Sequence, residues 1–283
     1  MNLTGLFRRI GAAMNPLLLS GGVLLALIVV LAVFAGQLYP ESPFDMVGKP
    51  YLPPLSEGFV FGTDTLGRDI AATVAYGARV SLAIGLITTS LSTALGILVG
   101  GIAGFYGGRI DSLLMRFTEL FQSIPSFLFA IVVVAVLQPS IGTVVAAIVI
   151  VSWAPLARLV RAEVVGLRNR EFVQGCIALG MSDFQILVRQ ILPNAMPSVI
   201  VAASIAVATA ILFESALSFL GLGDPNVMSW GLMIGIGRSV MRTAWWIAAI
   251  PGFAILLTVL AINLLGDGLN EALNPRTRPR KES

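Results

Sequence analysis

The sequence predicts an all-α integral membrane protein with six transmembrane helices, and two observations carry that reading. Of 283 residues, 57% are hydrophobic and 12% charged, whereas a soluble domain carries about 25% charged residues. Six uncharged apolar runs are each close to the ~20 helical residues that cross about 30 Å of hydrocarbon. There is no histidine and one cysteine, Cys176, which excludes disulfides, His/Cys metal centres and imidazole catalysis.

The first run, 17–38, follows a short segment 1–16 containing Arg8 and Arg9. It exceeds the ~7–15 residues of a signal-peptide core and is read as an uncleaved span. In the segment 39–79, Gly62, Thr63 and Asp64 predict a turn with a capping side chain. An amphipathic helix is expected from about Arg68, anchoring at the interface as it enters the second span, 80–105. There Gly96, Gly100 and Gly104 recur every four residues and allow a close helix crossing.

The third span is placed at 118–138, with Glu119 read as a surface acid beside Arg116, three residues away. The fourth, 141–157, is the shortest, because Pro155 near its end leaves a carbonyl unpaired and bends the helix. The fifth and sixth are 195–220 and 245–266, followed by a tail, 267–283. Glu214 lies deep in the fifth, where an acid faces protein or water. Two roles stay open: lining a path with Ser218, or hydrogen bonding to backbone and to Ser215 or Ser218.

Lys and Arg are retained on the cytoplasmic side. With the N-terminus inside, Arg8, Arg9, Arg109, Arg116, Arg158, Arg161, Arg168, Arg170, Arg189, Arg276, Arg278, Arg280 and Lys281 fall in cytoplasmic segments. Only Lys49, Arg68, Arg79, Arg238 and Arg242 fall outside. Both termini are therefore expected inside, and the segment 158–193 is cytoplasmic.

That segment reads as a helical hairpin. Asn169 is positioned to cap a helix bearing Phe172, Val173, Cys176 and Ile177, and Gly180 follows as the left-handed residue that ends it. Ser182 and Gln185 have capping-box spacing, Asp183 favours the positive end of the next helix dipole, and Pro193 stops that helix. Phe184, Leu187, Val188 and Ile191 recur at helical spacing. An apolar cytosolic face calls for a protein partner, although a plain connecting loop has the same outline. A DNA-reading helix-turn-helix is a poor fit, since only Arg189 lies in the second helix.

The hairpin resembles the EAA loop of ABC importer permeases, whose glycine and Leu-Pro pair correspond to Gly180 and Leu192-Pro193. Gln174-Gly175-Cys176 occupies the E-A-A position and Gln190 replaces the pattern's isoleucine. Gln174 brings no carboxylate, which leaves docking there to shape. FGTDTLGRDI at 61–70, with Gly62, Thr63, Asp64, Gly67, Arg68 and Asp69, resembles the external entry segment of dipeptide, oligopeptide and nickel-type permeases. YGARVSL at 76–82, ESALSFLGLG at 214–223, SWGLMI at 229–234 and NLLGDGLNEALNPR at 263–276 are similar to the same group.

The resemblance implies a type I ABC importer permease fold with a cytoplasmic coupling helix, in a bacterial inner membrane. It implies as partners a second permease subunit, two ATPase subunits holding ATP and magnesium, and an external binding protein. Coupling residues would be Gln174, Gly175, Cys176, Gly180, Ser182, Asp183, Phe184, Leu187, Leu192 and Pro193. The cargo would be a di- or oligopeptide, with nickel, a metal chelate or an opine as alternatives. This chain would bind no cofactor and no nucleic acid, and it carries no G-x-x-x-x-G-K-[ST] phosphate loop. An ion-coupled secondary transporter would show internal repeats, and none is clear. An intramembrane enzyme would need a general base, and no paired acids lie within the spans.

Overall fold

The computed structural model describes residues 15–273. Arg8, Arg9, Arg276, Arg278, Arg280 and Lys281 lie outside them, as do most of the expected tail and the end of the 263–276 block. Among the described residues all regular structure is helical: α1 (Pro16–Leu38), α2 (Ile70–Tyr106), α3 (Gly108–Ser123), α4 (Ser126–Leu137), α5 (Ile141–Arg168), α6 (Glu171–Ala178), α7 (Asp183–Ile186), α8 (Leu192–Phe219), α9 (Trp230–Gly237) and α10 (Trp246–Leu273). Five helical stretches are long and apolar enough to cross a membrane, α7 and α8 counting as one, and α3 with α4 forms a sixth, bent candidate. The hairpin at 169–182 lies at one end of the bundle, and the segment 39–69 lies at the other.

Four of the expected spans differ from the structure for local reasons. The second begins at Ile70, not 80, because Asp69 accepts from the Ala71 N–H and caps the helix. Its first turns are buried, so they do not form a separate interfacial helix. The third starts at Gly108 and breaks by 82° between Ser123 and Ser126. Pro125 drives Ile124 into the extended region (φ −93°, ψ 133°) and ends α3. α4 alone, with 12 residues, covers only about 18 Å.

The fourth span does not end near Pro155; α5 continues to Arg168. Packing overrides the proline there, since Gly96, Gly100 and Gly104 bring α2 against Leu156, Ala157, Val160, Arg161 and Val164. A Cβ on Gly100 would stand 2.9 Å from both Arg161 N and Val160 Cβ, so the close approach requires glycine. Nor does Pro193 separate hairpin from span. A π-turn over Leu187–Ile191 joins α7 to α8, so Asp183–Phe219 is one 37-residue helical run. Pro193 sits at the start of α8, where the wide turn before it makes room for the ring.

Candidate functional site

The hairpin is built from opposed caps. Asn169 does not cap α6; it ends α5, and Arg170 occupies the N-cap of α6 without a side-chain bond. The Arg170 N–H donates to Leu167 O (3.0 Å), so the chain is still turning off α5 at Asn169 and the N-cap position falls to Arg170. Gly180 takes φ +77°, and α6 closes with bonds from Met181 N to Cys176 O (3.1 Å) and Gly180 N to Ile177 O (2.9 Å). This paired pattern is a Schellman motif. Ser182 and Gln185 then exchange side-chain and backbone bonds as a capping box that opens α7, with Asp183 in its first turn.

The apolar residues divide between two faces. Val173, Ile186, Leu187 and Ile191 pack with Phe105, Val160, Val164 and Val199 from α2, α5 and α8. Each such burial is worth about 1.5–3 kcal/mol, so the hairpin is seated firmly on the spans. Phe172, Ile177, Leu179 and Phe184 point outward, Leu179 being 85% and Phe184 70% exposed. Gln174, Gly175, Ser182 and Asp183 are exposed among them, and Cys176 is half-buried. Nothing in the apolar spacing marks Leu179; its signal in the sequence is its place just before the left-handed Gly180. Phe184, Leu187 and Leu192 also wall an apolar groove of about 570 Å³ against Ile97, Leu98 and Tyr106 of α2.

Glu214 is 1% exposed in α8. Its carboxylate accepts from Ser218 Oγ (2.8 Å) and from Ser81 and Ser215 Oγ (3.4 Å each). The adjoining space, about 10 Å³ and also lined by Ser229 and Asp224, holds at most about one water. Trp230 extends the cluster, its N–H reaching Ser81 Oγ (3.4 Å) and its indole N–H donating to Val74 O (3.0 Å). α2, α8 and α9 are thereby tied together. Glu214 and Ser218 meet each other, but they face no open volume in this conformation.

At the opposite end the 61–70 stretch is held by bonds to its own backbone and to neighbouring segments, while Arg68 Nε is buried without a hydrogen bond, 3.8 Å from Asp64. Thr63 Oγ1 donates to Lys49 O (2.5 Å) and accepts from Leu52 N (2.9 Å), while the Trp246 indole N–H donates to Thr63 O (3.3 Å). Asp64 accepts from the Leu66 and Arg68 N–H groups (2.8 and 2.9 Å). Gly62 and Gly67 both take positive φ, and the Arg68 guanidinium lies over the Phe44 ring. Burial pushes the Asp69 carboxyl above its usual range, against two backbone N–H bonds that lower it. The stretch is a folded plug whose polar groups serve the turn.

Residues 96–279 match the family model described as the binding-protein-dependent transport system inner membrane component. The dipeptide transport system permease protein DppC of Bacillus subtilis (strain 168) is 38% identical over 93% of this chain and 83% of its own length. The chain belongs to this inner-membrane transport family. The di/tripeptide transport system permease protein DppC of Pseudomonas aeruginosa (strain UCBPP-PA14) is 41% identical to this family member, over 94% of this chain and 90% of the relative. The oligopeptide permease OppC of Haemophilus influenzae is 37% identical over 90% and 83%. A solved chain of the MetNI methionine ABC transporter superposes on this transport component with a TM-score of 0.58 at 15% identity, over 71% of this chain and 96% of that one. That level of identity speaks for the fold alone. By its family the chain is a multi-pass permease subunit.

Proposed function

We propose that this chain forms half of the translocation path of an ATP-driven importer, with a second permease subunit supplying the other half and separate subunits hydrolysing ATP. The observation that carries the reading is the hairpin. Its exposed face of Leu179 and Phe184 is joined by an unbroken helical run, Asp183–Phe219, to a membrane span. A push on that face tilts a span, which is the motion that alternating access requires. The seven Arg residues from 109 to 189 that lie toward this end support a cytoplasmic hairpin and a bacterial inner-membrane location with both termini inside.

The cargo is a short peptide, the substrate class in the relatives' names, delivered by an external binding protein, as the family's description implies. ATP and magnesium belong to the partner subunits, and this chain binds neither. Reconstituting the chain with its partner permease, ATPase subunits and binding protein in proteoliposomes tests the whole reading. Peptide uptake that requires both ATP and the binding protein is expected. Uptake driven by an ion gradient without ATP would overturn it in favour of a secondary transporter.

A further inference from the structure

The face between α3 and α5, toward the hairpin end, holds a polar cleft of about 670 Å³. Met115, Glu119 and Gln122 line it from α3, and Pro155, Arg158 and Leu159 line it from α5. Its size is that of a small-molecule site. Charged side chains on membrane-embedded helices face protein or water-filled space and mark substrate routes.

The charges here are distributed unevenly. Arg161, at the cleft's edge, is neutralised by a two-pronged pair with Asp111, both contacts at 2.5 Å. Arg158 instead donates to the neutral amide oxygen of Gln122 (2.5 Å), which leaves its charge uncompensated. Glu119 makes no ion pair or hydrogen bond among the described residues, and the expected partner, Arg116, does not reach it. The helix turns Glu119 into the cleft, where it and Arg158 line one volume without pairing. Among the described residues, one unpaired charge of each sign therefore faces a space whose apolar lining is Met115, Pro155, Leu159 and Ala162, with Gln122 and the paired Arg161 completing it.

We propose that this cleft is a transit site for short peptides, in which Glu119 receives the terminal ammonium and Arg158 the terminal carboxylate. The inference rests on the peptide-cargo reading above. A zwitterionic peptide satisfies both charges at once, whereas a simple cation or anion leaves one unmatched. The apolar walls accept varied side chains, so recognition falls on the two termini common to all peptides. Arg158 suits a carboxylate through its planar donor fork, and Gln122 holds the guanidinium in place.

The complete reconstituted transporter tests this with three probes: Ala-Ala, its N-acetyl derivative and its C-terminal amide, each supplied at concentrations that saturate the binding protein. Arg158→Met is expected to lower the maximal uptake rate of Ala-Ala about tenfold, the order for losing a hydrogen bond to a charged group. It should leave the amide's rate nearly unchanged, and Arg158→Lys should restore the preference for the free carboxylate. Glu119→Gln should show the mirror pattern with the N-acetyl derivative. Affinities of the binding protein, measured separately, should not change. An equal loss for all three probes, or no loss, would overturn the transit site. A wild-type complex that hydrolyses ATP but imports no peptide would instead remove the peptide-cargo reading, and this inference with it.

Discussion

Replacing Gly180 with valine is expected to weaken both peptide transport and the stimulation of ATP hydrolysis that accompanies it, without unfolding the spans. Gly180 holds φ +77°, and a Cβ there would meet no heavy atom within 4 Å. The cost is therefore backbone strain alone, about 1–2 kcal/mol for an ordinary L-residue in the left-handed region and more for a β-branched one. A cost of that size shifts a local equilibrium by roughly 5–30-fold. The buried anchors Ile186 and Ile191 hold the α7 side in place, so the strain is relieved on the exposed side by displacing Leu179 and the end of α6. ATPase stimulation by the binding protein and peptide uptake, both measured in proteoliposomes, should fall together while the assembled complex stays at normal levels. Gly180→Asn, which tolerates positive φ, should retain most activity. Gly175→Ala, helical with open space around it, should be neutral or stabilising by up to about 1 kcal/mol. Wild-type coupling in the valine variant would refute the assignment of the hairpin as the transmitting element.

Three further outcomes are expected. In a Cys176→Ser background, a membrane-impermeant thiol reagent added outside intact cells should label a cysteine at Ser56 and not one at Ser182; the reverse pattern would invert the orientation. Glu214→Gln, which keeps one acceptor for the surrounding serines, should assemble, whereas Glu214→Ala should lose about 1–3 kcal/mol through unsatisfied buried groups and give less complex in quantitative immunoblots. If the Gln variant assembles but imports a cationic peptide poorly, Glu214 acts on the cargo path; normal uptake leaves it a structural tie. Gly100→Leu should abolish assembly because its side chain would enter the α5 backbone, while Gly166→Leu, with open space around it, should express normally; equal expression would contradict the α2–α5 crossing.

Chain chemistry alone determined the membrane class, the first span, the glycine face of α2 and the hairpin's caps at Gly180 and Ser182, because each is a local consequence. Apolar length specifies a span, a missing Cβ permits a close crossing, and Gly180, Ser182 and Gln185 act over four residues or fewer. Tertiary packing decided what happens at the prolines and the charges. Pro125 breaks its helix, yet Pro155 and Pro193 do not, since α5 runs unbroken to Arg168 against the α2 glycine face and a π-turn absorbs the ring at 193. Packing also turned Val173, Ile186 and Ile191 inward while leaving Leu179 and Phe184 out, closed serines around Glu214, and placed Glu119 across a cleft from Arg158. Those outcomes depend on neighbours tens of residues away in sequence, and only the assembled bundle brings such neighbours within bonding distance.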